Sequence, residues 1–214
     1  SVPGWPRALG IWSNSSAVVA DLDGDLDFEV VSGAADRVYA WNANGQEVLD
    51  GDANPLTPGV FKPVAGNYMP GLAAGDLDGD GNDEIVACTF DTKKVYVLEG
   101  NGSIRSGWPR GIVSTTHGIW ATPALADLDL DGFLEIIVLG LDGRVYVWRH
   151  NGTEFLDGDA DPNTHGVFFA SPSGSTWSRG APTVANLLPA DATPEIVFGT
   201  ENSRVYVLRA NGSV

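Results

Sequence analysis

One unit recurs four times along this 214-residue chain. Repetition at a period of about 50 residues confines the fold to copies of one small motif, stacked or arranged around an axis. Each copy opens with a short apolar run, such as Ala17-Val18-Val19-Ala20, and enters an acidic loop. A β-branched run, a Val-Tyr segment and an Asn-Gly turn follow. The acidic loops start at Asp21, Asp76, Asp127 and, in degraded form, Asn186, at spacings of 55, 51 and 59 residues. The Val-Tyr segments start at Val38, Val95, Val145 and Val205. A longer period overlies this one. LDGDANPLTPGVF at 49–61 returns as LDGDADPNTHGVF at 156–168, and GWPR at 4–7 returns at 107–110. Units one and three therefore match, as do the visible parts of two and four, which points to duplication of a two-unit segment.

Within unit one the strand candidates are Ser16 to Ala20, Glu29 to Gly33 and Arg37 to Asn42, with a weaker fourth from Val60 to Ala65. No stretch keeps the apolar stripe of a helix. Asn101-Gly102, Asn151-Gly152 and Asn211-Gly212 are tight-turn signals, and tight turns join antiparallel neighbours. Four short strands per unit predict an all-β protein, a β-propeller of four blades with about four antiparallel strands each. A solenoid of similar repeats is the structural alternative. The expected blades are 12–66, 67–113, 114–170 and 171–214, within one propeller unit spanning 1–214. Residues 1–11 are expected to supply the outer strand of the last blade, in the same chain or in another copy. The second case is a homodimer forming an eight-bladed ring, of which this chain is half; a segment of a longer ring is the related reading.

Lys plus Arg number 12 against 28 Asp plus Glu, a formal net charge of -16, so the surface repels nucleic acid and anionic membrane. No apolar run reaches membrane-spanning length, and membrane insertion is not expected. The single cysteine, Cys88, excludes an internal disulfide framework and reads as a buried thiol.

The acids gather in the loops. Unit two is cleanest, with Asp76, Asp78, Asp80 and Glu84 at loop positions 1, 3, 5 and 9, and Asn82 at position 7 to offer its backbone carbonyl. Unit one has Asp21, Asp23, Asp25 and Glu29, with Asp27 at the carbonyl position; unit three has Asp127, Asp129, Asp131 and Glu135, with Phe133 there. Three acids within five residues repel one another unless a cation joins them. A hard cation takes about six to eight oxygens at about 2.3–2.6 Å, which alternate residues of a tight turn can supply. No Cys or His recurs beside the loops, which disfavours zinc and copper, so the expected ion is Ca2+. Unit four, Asn186 to Glu195, loses the acids at positions 3 and 5, and no calcium or only a weak site is expected there. Asp50-Gly51-Asp52-Ala53-Asn54 and Asp157-Gly158-Asp159-Ala160-Asp161 also place oxygens on alternate residues. A second class of metal site and a plain acidic turn both fit those two loops.

The pattern A-x-D-L-D-G-D-G-x-x-E-I-V followed by V-Y-V-W/L-x-x-N-G resembles the FG-GAP or VCBS repeats. Those repeats build the integrin α propeller heads and many secreted prokaryotic proteins. The resemblance implies calcium between the first two strands of a blade and a secreted or cell-surface setting. Some polysaccharide lyases carry such loops too. The expected function is a calcium-stabilised β-propeller module for protein or glycan binding, with cell adhesion as one such role and no catalysis of its own. Two alternatives stand beside it: a structural segment of a larger secreted protein, and a polysaccharide lyase-like enzyme. None of His117, His150 and His165 lies in a recognisable catalytic motif. His150 reads as a solvent-facing edge residue, and His117 as one able to face a central channel. The tryptophans near unit starts, Trp5, Trp12, Trp108, Trp120 and Trp177, are expected to wedge between blades or to offer a sugar platform.

Overall fold

The computed structural model describes residues 2–114, 118–161, 163–171, 179–188 and 192–214, which carry fifteen strands in four antiparallel sheets. The first sheet runs in the order β1 (Ala17–Ala20), β2 (Glu29–Ala34), β3 (Arg37–Asn42), β4 (Val60–Pro63). The second is β5 (Gly71–Gly75), β6 (Glu84–Cys88), β7 (Lys94–Leu98), β8 (Arg110–Gly111). The third is β9 (Ala124–Ala126), β10 (Glu135–Leu139), β11 (Arg144–Trp148), β12 (Val167–Ala170). The fourth has three strands, β13 (Thr183–Ala185), β14 (Glu195–Thr200) and β15 (Arg204–Leu208). Sequence order is spatial order in every sheet, as tight turns between neighbours require. His117, Trp177 and residues 189–191 of the fourth loop lie outside the described residues.

The second and third strands are apolar on both faces because each inner sheet is covered on both sides. All five residues of β6 and of β10 are buried. One apolar cluster joins the first sheet to the second, with Val31, Val38 and Phe61 against Leu72, Ile85 and Tyr96. A second joins Val86, Cys88 and Val97 to Ile136, Tyr146 and Trp148. A third joins Ile137, Val145 and Val147 to Ile196, Phe198 and Tyr206. The sheets thus follow one another like leaves, with the second and third each packed between its sequence neighbours. Complete burial raises the Cys88 thiol far above its ordinary range, in keeping with a packed, unreactive cysteine.

The Asn-Gly turns close alike in all four units. The side chains of Asn44, Asn101, Asn151 and Asn211 accept the backbone N–H two residues on, at 2.8–3.0 Å. The glycine that follows has positive φ in each unit, 77° to 79°.

Trp5 and Trp108 are each set edge-on against a sheet tryptophan, Trp41 or Trp148, at 6.0 Å; Trp108 lies in the cluster that joins the second and third sheets, and Trp5 packs on the first sheet. Trp108 follows β7 yet donates its indole N–H to the His150 carbonyl of the third sheet, and Arg110-Gly111 then forms the outer strand of the second. Trp5 donates likewise to the Ala43 carbonyl, and Tyr39 donates to the Leu9 carbonyl. The N-terminal segment therefore lies on the first sheet as the segment leading into β8 lies on the third. It forms no strand among the described residues. Trp12, by contrast, is 63% exposed. At the far end Val205 and Val207 of β15 are 73% and 37% exposed, whereas their counterparts Val95, Val97, Val145 and Val147 are sealed by the next sheet.

Candidate metal centres

Each acidic loop leaves the end of an innermost strand, β1, β5 or β9, and returns into the second strand of that sheet. Three sets of carboxylates converge, with one oxygen from each residue within 4.8 Å of the others: Asp21, Asp23 and Glu29; Asp76, Asp78 and Glu84; Asp127, Asp129 and Glu135. These are positions 1, 3 and 9 of the sequence pattern.

The position-1 aspartate folds the loop. Asp76 accepts N–H bonds from Gly79, Asp80 and Gly81 at 2.7, 3.2 and 3.0 Å, and Asp21 accepts from Gly24, Asp25 and Leu26 at 2.8, 3.2 and 3.0 Å. Asp127 accepts from Asp131 and Gly132 at 3.1 and 2.9 Å. Such a curl turns residues 4 and 6 of the loop into left-handed backbone. Gly79 and Gly81 do this without strain, but Leu26 (φ 69°) and Leu130 (φ 62°) do it as well. Position 5 faces the backbone: Asp25, Asp80 and Asp131 each accept the N–H of position 7, that is of Asp27, Asn82 and Phe133, at 2.8–2.9 Å. The position-5 carboxylates stand outside the three convergent sets, although Asp131 still reaches a guanidinium shared with the third.

Position 9 is buried and does two jobs. One glutamate oxygen accepts the N–H of the leucine at position 2: Leu22 to Glu29, Leu77 to Glu84 and Leu128 to Glu135, at 2.8–3.0 Å. The degraded fourth loop keeps this bond, Leu187 to Glu195 at 2.8 Å, without a convergent acidic set among the described residues. The glutamate is therefore part of the loop's frame whether or not an ion is present. Burial, the largest cause, lifts Glu84 to about 8 and Glu135 to about 7, and it raises Glu29 as well. Glu135 Oε1 and Asp78 Oδ1 are buried without a hydrogen-bond partner. An all-oxygen donor set with orphaned buried acceptors fits a hard divalent cation, which these three carboxylate groups would hold.

Several functional residues carry no signal in the repeat. Asp83, beside the metal pattern in loop two, accepts the Asp21 N–H at 2.9 Å and locks the first loop to the second. Arg105 and Arg149 reach into the second and third loops. His150 is not a free edge residue: it stacks on Phe133 at 4.8 Å, 19° from parallel, and its Nδ1 is buried.

The loops at 50–54 and 157–161 close on themselves. Thr57 donates to Asp52 at 2.7 Å, and that hydroxyl is the main cause holding the Asp52 carboxyl below its usual range. Asp50 and Asp52 both accept the Asn54 N–H, and Thr164 donates to Asp159 at 2.9 Å. The N–H of Asn163 is the main cause lowering Asp161. Neither loop contributes a convergent set among the described residues. Gly51 and Gly158 are required sterically, since a Cβ would sit 1.9 Å from the Phe61 or Phe168 carbonyl oxygen.

These features define a repeat protein of stacked antiparallel sheets with acidic, cation-ready loops between the first two strands. Residues 76–138 match the FG-GAP-like repeat, and the chain carries an FG-GAP-like repeat region with acidic clusters of the kind found in integrin-like calcium-binding repeats. A search of curated proteins finds no match. Among solved structures the chain is similar to BBS1N, crystallised in complex with ARL6DN, at 13% identity and TM-score 0.59. It is similar also to the C-terminal domain of Pseudomonas aeruginosa PilY1 (16%, 0.59) and the V. cholerae biofilm matrix protein Bap1 (24%, 0.53). These alignments cover 99%, 93% and 93% of this chain, but only 56%, 51% and 27% of those chains. The likeness is one of fold, and no helix of the described residues is long and apolar enough to cross a membrane.

Proposed function

We propose that the chain is a calcium-stabilised β-propeller module of a secreted or cell-surface protein, acting by binding a glycan or protein and not by catalysis. The ion reading rests on three convergent carboxylate sets recurring in phase. Millimolar extracellular calcium would fill even modest sites of this type.

The observation that carries the binding role is a row of aromatic rings at the opposite end of the inner strands. Trp12, Tyr68 and Trp120 each precede an innermost strand whose other end leads into an acidic loop. Their rings meet across three sheets, Trp12 to Tyr68 at 5.7 Å and Tyr68 to Trp120 at 5.1 Å, with Phe90 edge-on to both Tyr68 and Trp120. Arg179 of the fourth unit covers Trp120 at 5.4 Å. Asn14 donates to the Tyr68 hydroxyl at 2.7 Å and fixes that ring. An exposed indole on a rigid aromatic base, flanked by amide and guanidinium groups, suits the apolar face and hydroxyl edge of a sugar ring. The test is tryptophan fluorescence against a panel of soluble polysaccharides. Quenching that disappears in Trp12→Ala at unchanged Tm supports the reading; a panel without effect on the native protein removes the glycan half of it.

The exposed valines of β15 support a ring completed by further sheets of the same kind. In that arrangement β15 receives an outer strand as β7 receives β8.

A further inference from the structure

Two of the three loops contain a cation of the protein's own. Arg105 lies between Asp78, Glu84 (3.2 Å) and Glu99 (3.4 Å). Arg149 spans Asp129 (2.8 Å), Asp131 (3.3 Å) and Glu135 (3.7 Å). They come from different places in the repeat. Arg105 follows the Asn101-Gly102 turn, where units one and three have Val48 and Phe155; Arg149 ends the third-strand segment, where units one and two have Asn42 and Glu99. Unit one thus has Asn42 and Val48 at these positions. Among the described residues no Arg, Lys or His nitrogen lies within 4.0 Å of the carboxylates of its loop.

We infer that Arg105 and Arg149 are tethered competitors for the cation, so that the three loops fill in order: first the Asp21 loop, then the Asp127 loop, last the Asp76 loop. This inference rests on the calcium reading of the loops. A guanidinium offsets the repulsion among the acids and donates charge-assisted hydrogen bonds to them. Its planar fork cannot satisfy every oxygen of a three-dimensional cage: Asp78 Oδ1 and Glu135 Oε1 stay buried without a hydrogen bond, and Arg149 comes no nearer to Glu135 Oε1 than 3.7 Å. A spherical dication reaches those oxygens and expels the guanidinium by like-charge repulsion. Each arginine has a resting place outside the cage: Glu99 for Arg105, and for Arg149 the face of Phe155, 5.0 Å from its guanidinium carbon. Arg105 is the stronger competitor, because its side chain is 11% exposed against 31% for Arg149.

Three glycine amides report the loops separately, since Gly24, Gly81 and Gly132 each donate to the position-1 aspartate of their own loop. Calcium titration of the 15N-labelled chain should move Gly24 first, Gly132 second and Gly81 last. Arg105→Gln should tighten the Gly81 transition about tenfold, roughly the worth of one charge-assisted contact, and Arg149→Gln should do so for Gly132. Arg105→Lys, which keeps the charge but loses the fork, should fall between. Both glutamine variants should also melt lower than the native chain in calcium-free buffer. Simultaneous filling of all three loops, or unchanged or weakened transitions in the variants, overturns the inference while leaving the calcium reading intact. A native chain that binds no calcium overturns both.

Discussion

Replacing Glu84 with glutamine separates the frame role of the position-9 residue from its ion role. Glu84 is 1% exposed and accepts the Leu77 N–H at 3.0 Å, a bond that a glutamine carbonyl retains. In calcium-free buffer at pH 8.5 the native protein carries a buried carboxylate whose pKa is pushed up to about 8 by burial. Glutamine removes that desolvated charge, so E84Q should melt at the native temperature or above it. With calcium at about 100 times the site dissociation constant, ion binding stabilises the native chain by about 2.7 kcal/mol per site. E84Q forfeits that increment at one loop. For a domain of this size about 1 kcal/mol shifts Tm by roughly 2–4 °C, so the calcium-dependent rise should shrink by about 5–10 °C. Glu195→Gln is the internal control. It keeps the Leu187 bond in a unit with no convergent acidic set among the described residues, and should leave the calcium-dependent rise unchanged. Differential scanning calorimetry with and without calcium decides the matter. Equal destabilisation of E84Q in both buffers would refute the ion role and leave the glutamate purely structural.

Other consequences are open to direct measurement. The raised pKa values of Glu84 and Glu135 mean that the ion-free folded state binds protons more tightly than the unfolded chain. Their stabilising contribution is complete below the unfolded carboxyl pKa and is lost as pH rises through about 7 to 8, so Tm of the calcium-free protein should fall over that range and the fall should flatten in calcium. Calcium binding at pH 7 should correspondingly release protons, read as a calorimetric enthalpy that varies with buffer ionisation; a buffer-independent enthalpy would contradict the buried, protonated glutamates. Leu26→Gly and Leu130→Gly relieve left-handed backbone at exposed loop residues and should raise stability by about 1 kcal/mol, the usual cost of that conformation, in chemical denaturation. A ring closed by two chains predicts a sedimentation mass of twice 22.5 kDa, reduced to one chain by Val205→Glu; a native chain that is already a stable 22.5 kDa monomer rejects that closure.

The repeat was legible because it is written twice, in strand apolarity and in loop chemistry. Arg37 to Asn42 forms β3 over the expected span, and the Glu29 strand runs one residue further, to Ala34. The first strand starts at Ala17 and the fourth stops at Pro63, both short of the expected Ser16 and Ala65. Carboxylates at positions 1, 3 and 9 converge because strand ends fix the two sides of the loop. Position 5 carries a tie that alternation alone does not show: within so tight a curl one of its carboxylate oxygens accepts the N–H two residues on. Arg105 and Arg149 were illegible for a deeper reason. They occupy different positions of the repeat and act on the same kind of loop, so no periodicity links them; only the folded backbone shows that a residue beyond the third strand lies against the loop before the second. The same geometry explains why unit four survives its lost acids. Its framework needs Glu195, which holds the Leu187 N–H, and strands β14 and β15, whose Ile196, Phe198 and Tyr206 pack on the third sheet. The acid at position 3 belongs to the convergent set and not to that framework, so a loop can lose its converging acids while its sheet continues to pack.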